Sequence, residues 1–149
     1  EINEKQRLNQ PEKNSGPAEN PISVPLTKPK AKIINKVRNH SVVYFDESSG
    51  RSKDKPEYIK GCEIWYKIGG AKSADESEFQ YLTTDTNTPY ILRFRGKDSG
   101  KTVHYKLRWV NKKNEPGPWS ETISAKIKSV LSLGFRIDLF IQIFQKLII

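Results

Sequence analysis

The chain contains no methionine, a single cysteine and only two histidines. Because Cys62 has no second cysteine to pair with, an internal disulfide is excluded and the fold must be held by a hydrophobic core. His40 and His104 stand alone, without further ligands at metal-binding spacing. The chain begins at Glu1 without an initiator methionine, and no apolar signal segment follows. We therefore expect the chain to be a fragment or a processed product.

Large apolar residues are scarce at the start of the chain, where proline is abundant. Residues 11–30 hold five of the nine prolines. Such a segment cannot bury a core, and its prolines stiffen it towards extended conformations. We therefore predict that residues 1–30 form an irregular proline-rich linker, the tail of a preceding region.

Short segments rich in Val, Ile, Thr and aromatic residues occupy residues 31–128, separated by turn residues. About seven such segments predict an all-β fold, a seven-stranded antiparallel sandwich. Apolar and polar residues alternate strictly over 103–109, which assigns one face of that strand to the interior. Applied to the other strands, the same alternation places Cys62 inside. The predicted core consists of Ile64, Tyr90, Leu92, Phe94, Tyr105, Leu107, Trp109 and Ile123.

Two motifs resemble a known family. KPEYIKGCEIWYKIG (55–69) resembles the second-to-third-strand region of fibronectin type III-like (immunoglobulin-like) domains, and GKTVHYKLRWVNKKNEPGPWSETI (100–123) resembles their closing hairpin. More narrowly, RWVN followed by GPWSE is similar to functionally unassigned bacterial proteins that carry a helical N-terminal region, a proline-rich linker and one such domain. The resemblance covers roughly residues 21–128. It implies a fold and no particular activity.

The last segment, residues 129–149, runs on beyond the domain pattern and is strongly apolar. Arg136, Asp138 and Lys146 interrupt a stretch that barely reaches the length a bilayer requires. Polar residues from Asp138 to Lys146 form one stripe beside a wide apolar face, which predicts an amphipathic helix from about 137 to 149. Four explanations are open: cover for the sandwich, pairing with another chain, contact with a membrane surface, or a gene-end artefact.

No catalytic, cofactor or metal site is predicted, and we expect the protein not to be an enzyme. Cys62 lies on an inner face, where a thiol behaves as a small hydrophobe. Ser120 lacks the flanking glycines of a nucleophile elbow. The acidic residues Asp75, Glu76 and Glu78 lack the ligand number and the glycine of a calcium loop.

The chain carries 26 Lys and Arg against 17 Asp and Glu, a net charge of +9. Residues 91–120 hold eight of these cations and two carboxylates. In a sandwich of this type, Arg93 and Arg95 are expected on one sheet and Lys106 and Arg108 on the other. That division disfavours a single groove for nucleic acid.

These observations favour a non-catalytic interaction or spacer module of a larger bacterial protein. We expect it to bind a protein or carbohydrate partner through an exposed sheet face formed by Trp65, Lys106, Arg108 and Trp119. Trp119 either caps the core edge or stacks outward between Lys106 and Arg108, as in the Trp/Arg ladder of cytokine-receptor domains. One alternative is a carbohydrate-binding accessory module using Trp65 and Tyr81. Another is a weak electrostatic binder of nucleic acid or anionic lipid.

Overall fold

The computed structural model describes residues 23–49 and 55–148, and for Ser49 and residues 130–138 the backbone alone. Residues 1–22 of the predicted linker lie outside this part of the chain. Within the described residues there are seven strands and one α-helix. They are β1 (Lys30–Lys36), β2 (Asn39–Phe45), β3 (Ile59–Ile68), β4 (Gln80–Asp85), β5 (Tyr90–Arg93), β6 (Thr102–Asn111), β7 (Ile123–Lys126) and α1 (Val130–Ile148).

The strands form two antiparallel sheets, with the order β1-β2-β5 in one and β4-β3-β6-β7 in the other. The protein is therefore a β-sandwich, and the predicted all-β architecture is confirmed. The strand with Arg93 and the strand with Lys106 and Arg108 belong to different sheets.

The core lies between the two sheets and is made by every second residue of the strands, the ones whose side chains point inward. In β6, Val103, Tyr105, Leu107 and Trp109 are fully buried. Cys62 and Ile64 of β3 and Val42 and Tyr44 of β2 complete its centre. Tyr90, Leu92, Phe94 and Ile123 of the predicted core are partly buried and pack against this cluster. Period-two alternation thus places each of these side chains on the inner face.

The chain before β1 packs on the sandwich. Pro25 and Pro29 are buried, and the Ser23 carbonyl accepts a hydrogen bond from the Asn111 side-chain amide at 3.2 Å. At Gly117, an added Cβ would lie 2.8 Å from both the Cβ and the carbonyl oxygen of Pro25. Residues 23–29, which the sequence analysis assigns to the linker, therefore contact the domain, and glycine at 117 permits their close approach.

His40 is a fully buried histidine near one end of the core. Its Nδ1 lies 2.9 Å from the Tyr105 hydroxyl, and its ring packs edge-on against Phe94. Burial lowers the pKa of His40 below its ordinary value of 6.5, and the Lys126 carbonyl opposes that effect. The neutral imidazole is therefore the form that the folded state favours.

We expect the free energy of unfolding to fall as the pH drops below about 6.5. The reason is that the unfolded chain then binds a proton at His40 that the folded chain resists, so this stability is present above 6.5 and lost as the pH falls through the lower, folded-state pKa. Urea unfolding at about pH 7.5 and about pH 5.5 measures the difference. His40→Gln, which can retain a bond to Tyr105, should flatten the dependence; an unchanged slope would contradict this role.

Candidate functional site

The outer face of the four-stranded sheet carries a group of aromatic and cationic side chains that we call the Trp65 cluster: Trp65, Tyr81, Arg108 and Trp119. Strand register brings the first three together. Trp65 in β3 is paired with Tyr81 in β4 and with Lys106 in β6, and Arg108 lies two residues further along β6. Because residues two apart share a face, these side chains emerge on one side of the sheet.

Trp119 reaches the same face because the segment 117–120 runs along β6 irregularly. Gly117 N–H donates to the Trp109 carbonyl at 2.8 Å, and Ser120 N–H donates to the Leu107 carbonyl at 2.7 Å. The Ser120 hydroxyl in turn accepts the Leu107 N–H at 2.9 Å, where a regular strand would supply a carbonyl. Pro118 has no N–H, so the ladder is interrupted here and Trp119 turns outward.

The four side chains of the Trp65 cluster contact one another in series. The Arg108 guanidinium lies 4.3 Å from the centre of the Trp119 ring and 5.7 Å from that of Trp65. The Trp65 ring meets Trp119 at 5.6 Å and Tyr81 at 5.9 Å, both edge to face. Tyr81 is 53% exposed, whereas Trp65 and Trp119 are half-buried. Of the two alternatives for Trp119, the structure places the ring in the outward stack.

Glu63 neutralises and orients this cluster. Its Oε2 accepts Arg108 Nε–H at 2.6 Å and Trp65 Nε1–H at 3.2 Å. Both charged side chains are largely shielded from solvent, with 20% exposure for Arg108 and 16% for Glu63. A charge-assisted hydrogen bond in such a setting fixes the position of the guanidinium over the Trp119 ring. The Glu63 hydrogen bonds thus fix the relative positions of Arg108 and Trp65 in the folded protein.

Lys106 does not form part of an exposed face, so this element of the sequence-based expectation is wrong. Only 5% of Lys106 is exposed, and its Nζ donates to the Ala74 carbonyl. The same Nζ lies 5.5 Å from the Phe79 ring and 5.4 Å from the Trp119 ring. The ammonium is desolvated yet retains a carbonyl acceptor and two aromatic faces, which compensates for its burial.

The cover over Lys106 is the loop between β3 and β4, residues 69–79. His104, only 3% exposed, lies between the Ser124 hydroxyl at 2.6 Å and the Gly70 carbonyl at 3.0 Å. Thr122 Oγ1 donates to the Ser73 carbonyl at 3.0 Å. The loop therefore crosses the outer face of β6 and β7 and leaves open the part beside Trp65 and Tyr81.

Two acidic residues of this loop make local contacts: Asp75 stabilises a turn within the loop, and Glu78 pairs with Lys67 of β3. Asp75 accepts hydrogen bonds from the backbone N–H and the hydroxyl of Ser77, which lower the pKa of the Asp75 carboxyl. Lys67 Nζ lies 3.1 Å from Glu78 Oε2. Across the described residues, no group of three or more His, Cys, Asp or Glu side chains is placed to hold a metal.

The nucleophile candidates lie in structural positions. Cys62 is fully buried, and burial raises the pKa of its thiol well above the ordinary value. The Ser120 hydroxyl is engaged with the backbone of Leu107 and Glu121. The side-chain partners of His40 and His104 are Tyr105 and Ser124, neither of them a carboxylate.

A groove of about 850 Å³, which the sequence analysis missed, lies between residues 26–31 and 118–123. Ion pairs stand on its rim, Lys28 with Glu121 at 3.4 Å and Lys30 with Glu47 at 3.3 Å. All four side chains are more than half exposed, so these pairs add little to stability. The groove exists because residues 23–29 pack back onto the domain. This contact is long-range in sequence, so no local sequence pattern predicts it.

No family model and no curated protein matches the chain. Among solved structures, it is similar to a β-1,2-glucanase from Parabacteroides distasonis, with a TM-score of 0.52 and 20% sequence identity. The likeness covers 71% of this chain and 13% of the glucanase chain. At this identity the likeness concerns the fold.

Proposed function

We propose that this protein is a non-catalytic interaction module of a larger bacterial protein, with a fibronectin type III-like fold, and that it binds a protein partner through Trp65 and Tyr81. The observation that carries the proposal is the Trp65 cluster. Two tryptophans, an arginine and a tyrosine contact one another on the outside of a sheet whose core is already complete without them.

Support for the family comes from the sheets and from one turn. The fourth strand pairs with β3 in the four-stranded sheet, unlike the constant immunoglobulin arrangement, in which it joins the first two strands. β6 ends at Asn111, whose side chain organises the following loop, as the resemblance of RWVN to the closing hairpin implies.

The composition of the cluster suits a protein interface. Trp, Tyr and Arg are the residues that most often dominate the binding energy at such interfaces. Stacking and the Glu63 hydrogen bonds fix Trp65 and Arg108, so little rotamer entropy is lost when a partner docks. Tyr81 is 53% exposed and therefore offers the most accessible surface of the cluster to a partner.

The ring geometry favours a protein partner over a sugar. A sugar ring stacks on an open, flat aromatic face, but the face of Trp119 is taken by Arg108 at 4.3 Å. Trp65 meets Tyr81 at an interplanar angle of 78° and Trp119 at 82°. No two of these rings therefore form a common platform.

Site-specific photo-crosslinking tests this function. A photoreactive residue in place of Tyr81, in the full protein in its native cells, should give a crosslink to a discrete protein. The same residue in place of Ile91, which is 50% exposed on the opposite sheet, serves as the control. A Trp65→Ala change should reduce the Tyr81 crosslink about tenfold or more, as expected for a hot spot. No discrete crosslink from position 81, or one of equal yield from position 91, would contradict a specific interface at Trp65 and favour a spacer.

A carbohydrate-binding accessory role is the second candidate, because Tyr81 is exposed and the solved structure described above is a glucanase. Titration with soluble β-1,2-glucan separates the two. Binding that is insensitive to salt and abolished by Trp65→Ala and Tyr81→Ala would establish the sugar site and displace the protein partner.

A further inference from the structure

A second surface, at the end of the sandwich from which α1 leaves, carries six exposed cations. We call it the basic end. Its members are exposed and come from the β1–β2 turn, the β5–β6 loop and the end of β7. They are Lys36, Arg38, Arg95, Lys97, Lys126 and Lys128.

Backbone hydrogen bonds bring these three segments together. Arg38 N–H donates to the Lys128 carbonyl at 2.9 Å, and Phe94 N–H donates to the Arg38 carbonyl at 3.0 Å. The Asn35 side chain donates to the Lys126 carbonyl at 2.7 Å. Segments separated by about 60 and 90 residues in sequence thus form one charged surface, which the sequence alone does not reveal.

The three segments of the basic end contain few carboxylates, although the loop between β3 and β4, with Asp75, Glu76 and Glu78, begins at the same end of the sandwich. Within the described part of the chain, Asp98 is the acidic residue of the β5–β6 loop, and it pairs with Lys101 at 3.0 Å. None of the six cations of the basic end has an ion pair with a described carboxylate. Six cations without such ion pairs, gathered by three neighbouring segments, produce a local positive potential that attracts an anionic surface.

Arg38 also occupies an unusual backbone position. It has a φ of +49° in the two-residue turn between β1 and β2, a conformation that glycine or asparagine adopts at lower cost. The turn therefore carries a positive charge at a position whose backbone geometry glycine would adopt more readily. This supplies a clean probe, since Arg38→Gly removes the charge without disturbing the turn.

The helix α1 begins at Val130, two residues after Lys128, and exposes a wide apolar surface. Seven large apolar side chains between 139 and 148 are 49% to 78% exposed. They are Leu139, Phe140, Ile141, Ile143, Phe144, Leu147 and Ile148. At 3.6 residues per turn they span an arc of roughly 200°, beside a polar stripe containing Gln142, Gln145 and Lys146.

We propose that the basic end and α1 together dock this protein on an anionic phospholipid surface, with α1 lying in the headgroup region. Over the described residues, no helix is both long and apolar enough to cross a bilayer. An amphipathic helix that lies in the interface needs only one apolar face, and stable anchoring requires a second signal such as a polybasic patch. Both signals occur here at the same end of the domain.

The width of the apolar arc favours lipid over a second copy of the helix. A coiled-coil partner covers a narrow stripe of a and d positions, so much of an arc of roughly 200° would stay in water. Acyl chains cover the whole arc. In a parallel helix pair the six cations of one copy would also lie beside those of the other, whereas phosphatidylserine headgroups complement them.

Vesicle co-sedimentation of the 149-residue chain tests the proposal. Binding to phosphatidylcholine vesicles that contain phosphatidylserine should exceed binding to pure phosphatidylcholine and weaken with added salt. Arg38→Gly with Lys97→Gln should lower the partition constant about 30-fold, from about 1 kcal/mol for each charge. The matched control, Lys112→Gln with Lys113→Gln at the opposite end of β6, should change it by about threefold at most.

Phe144→Asp should abolish binding because it places a carboxylate in the apolar arc, while Gln145→Asp places the same group in the polar stripe and should retain most of it. Thermal unfolding confirms that these exposed substitutions leave the sandwich intact. Equal binding to both vesicle types, equal loss with the Lys112/Lys113 control, or self-association through α1 without vesicle binding would overturn the proposal.

Discussion

Trp109→Ala is expected to lower the free energy of unfolding by about 3–5 kcal/mol, the range for removing a buried aromatic side chain. Trp109 is fully buried between the sheets and meets Tyr44 edge to face at 5.8 Å. Its removal leaves a cavity that neighbouring strands cannot fill, because their register is fixed by paired hydrogen bonds. Urea unfolding followed by circular dichroism measures the change.

Two further substitutions sharpen this prediction. Within the described residues, the Trp109 indole N–H is buried without a hydrogen-bond partner, so Trp109→Phe should cost far less than Trp109→Ala. Trp119→Ala removes a half-buried ring from the outer face and should cost about 1–2 kcal/mol. A larger loss for Trp119→Ala than for Trp109→Ala would mean that the interior has been assigned to the wrong tryptophan.

Asn111→Ala should cost about 2–4 kcal/mol, because a fully buried amide with four hydrogen bonds is lost. Asn111 Oδ1 accepts the backbone N–H groups of Lys113 and Glu115, both at 2.9 Å. Its Nδ2 donates to Glu115 Oε2 at 2.7 Å and to the Ser23 carbonyl at 3.2 Å. The truncated variant leaves those backbone donors without a partner and releases the segment before β1.

A substitution in the same loop provides the control. Asn114 has a φ of +64°, which glycine adopts freely, and its side chain makes one exposed bond to Lys60. Asn114→Gly should therefore stay within about 0.5 kcal/mol of the parent. Equal losses for Asn111→Ala and Asn114→Gly would show that the loop responds to any change, and that Asn111 has no special part in it.

The interior was predictable because it follows a local rule. Strict alternation in β6 places Tyr105, Leu107 and Trp109 on one face, and the same rule serves β3 and β5. The outward stack of Trp119 between Lys106 and Arg108 was one of two open alternatives, and the proline at 118 left the choice undecided.

The outer face was predicted less well, because what covers it comes from elsewhere in the chain. Alternation predicts that His104 and Lys106 point away from the core, and they do, but it cannot show that residues 69–79 fold over them. The Glu63 bridge between Trp65 and Arg108 likewise depends on cross-strand register. A search could have found it by starting from an outward Trp and looking for a charged residue two positions away in the same strand. That residue must then face an opposite charge in the neighbouring strand, as Glu63 faces Arg108.

The basic end escaped sequence analysis for the same reason. Counting charges along the chain emphasised the cations of residues 91–120, of which the topology places Arg93 in one sheet and Lys106 and Arg108 in the other. Topology also joins a turn, a loop and a strand end that are distant in sequence. In a β-sandwich, net charge is therefore better counted over the residues that meet at one end of the sheets than over a continuous stretch of sequence.

The stack on the outer face of β6 is the central element of this account, and NMR tests it most directly. If Trp119 lies over Arg108 and Lys106, the methylene protons of both side chains will show upfield ring-current shifts and cross-peaks to the indole. Trp119→Leu will reduce those shifts, most strongly at Arg108, and will leave the smaller contributions of Trp65 and Phe79 and the core signals of Leu107 in place. Random-coil shifts for Arg108 and Lys106 in the parent protein would contradict the account.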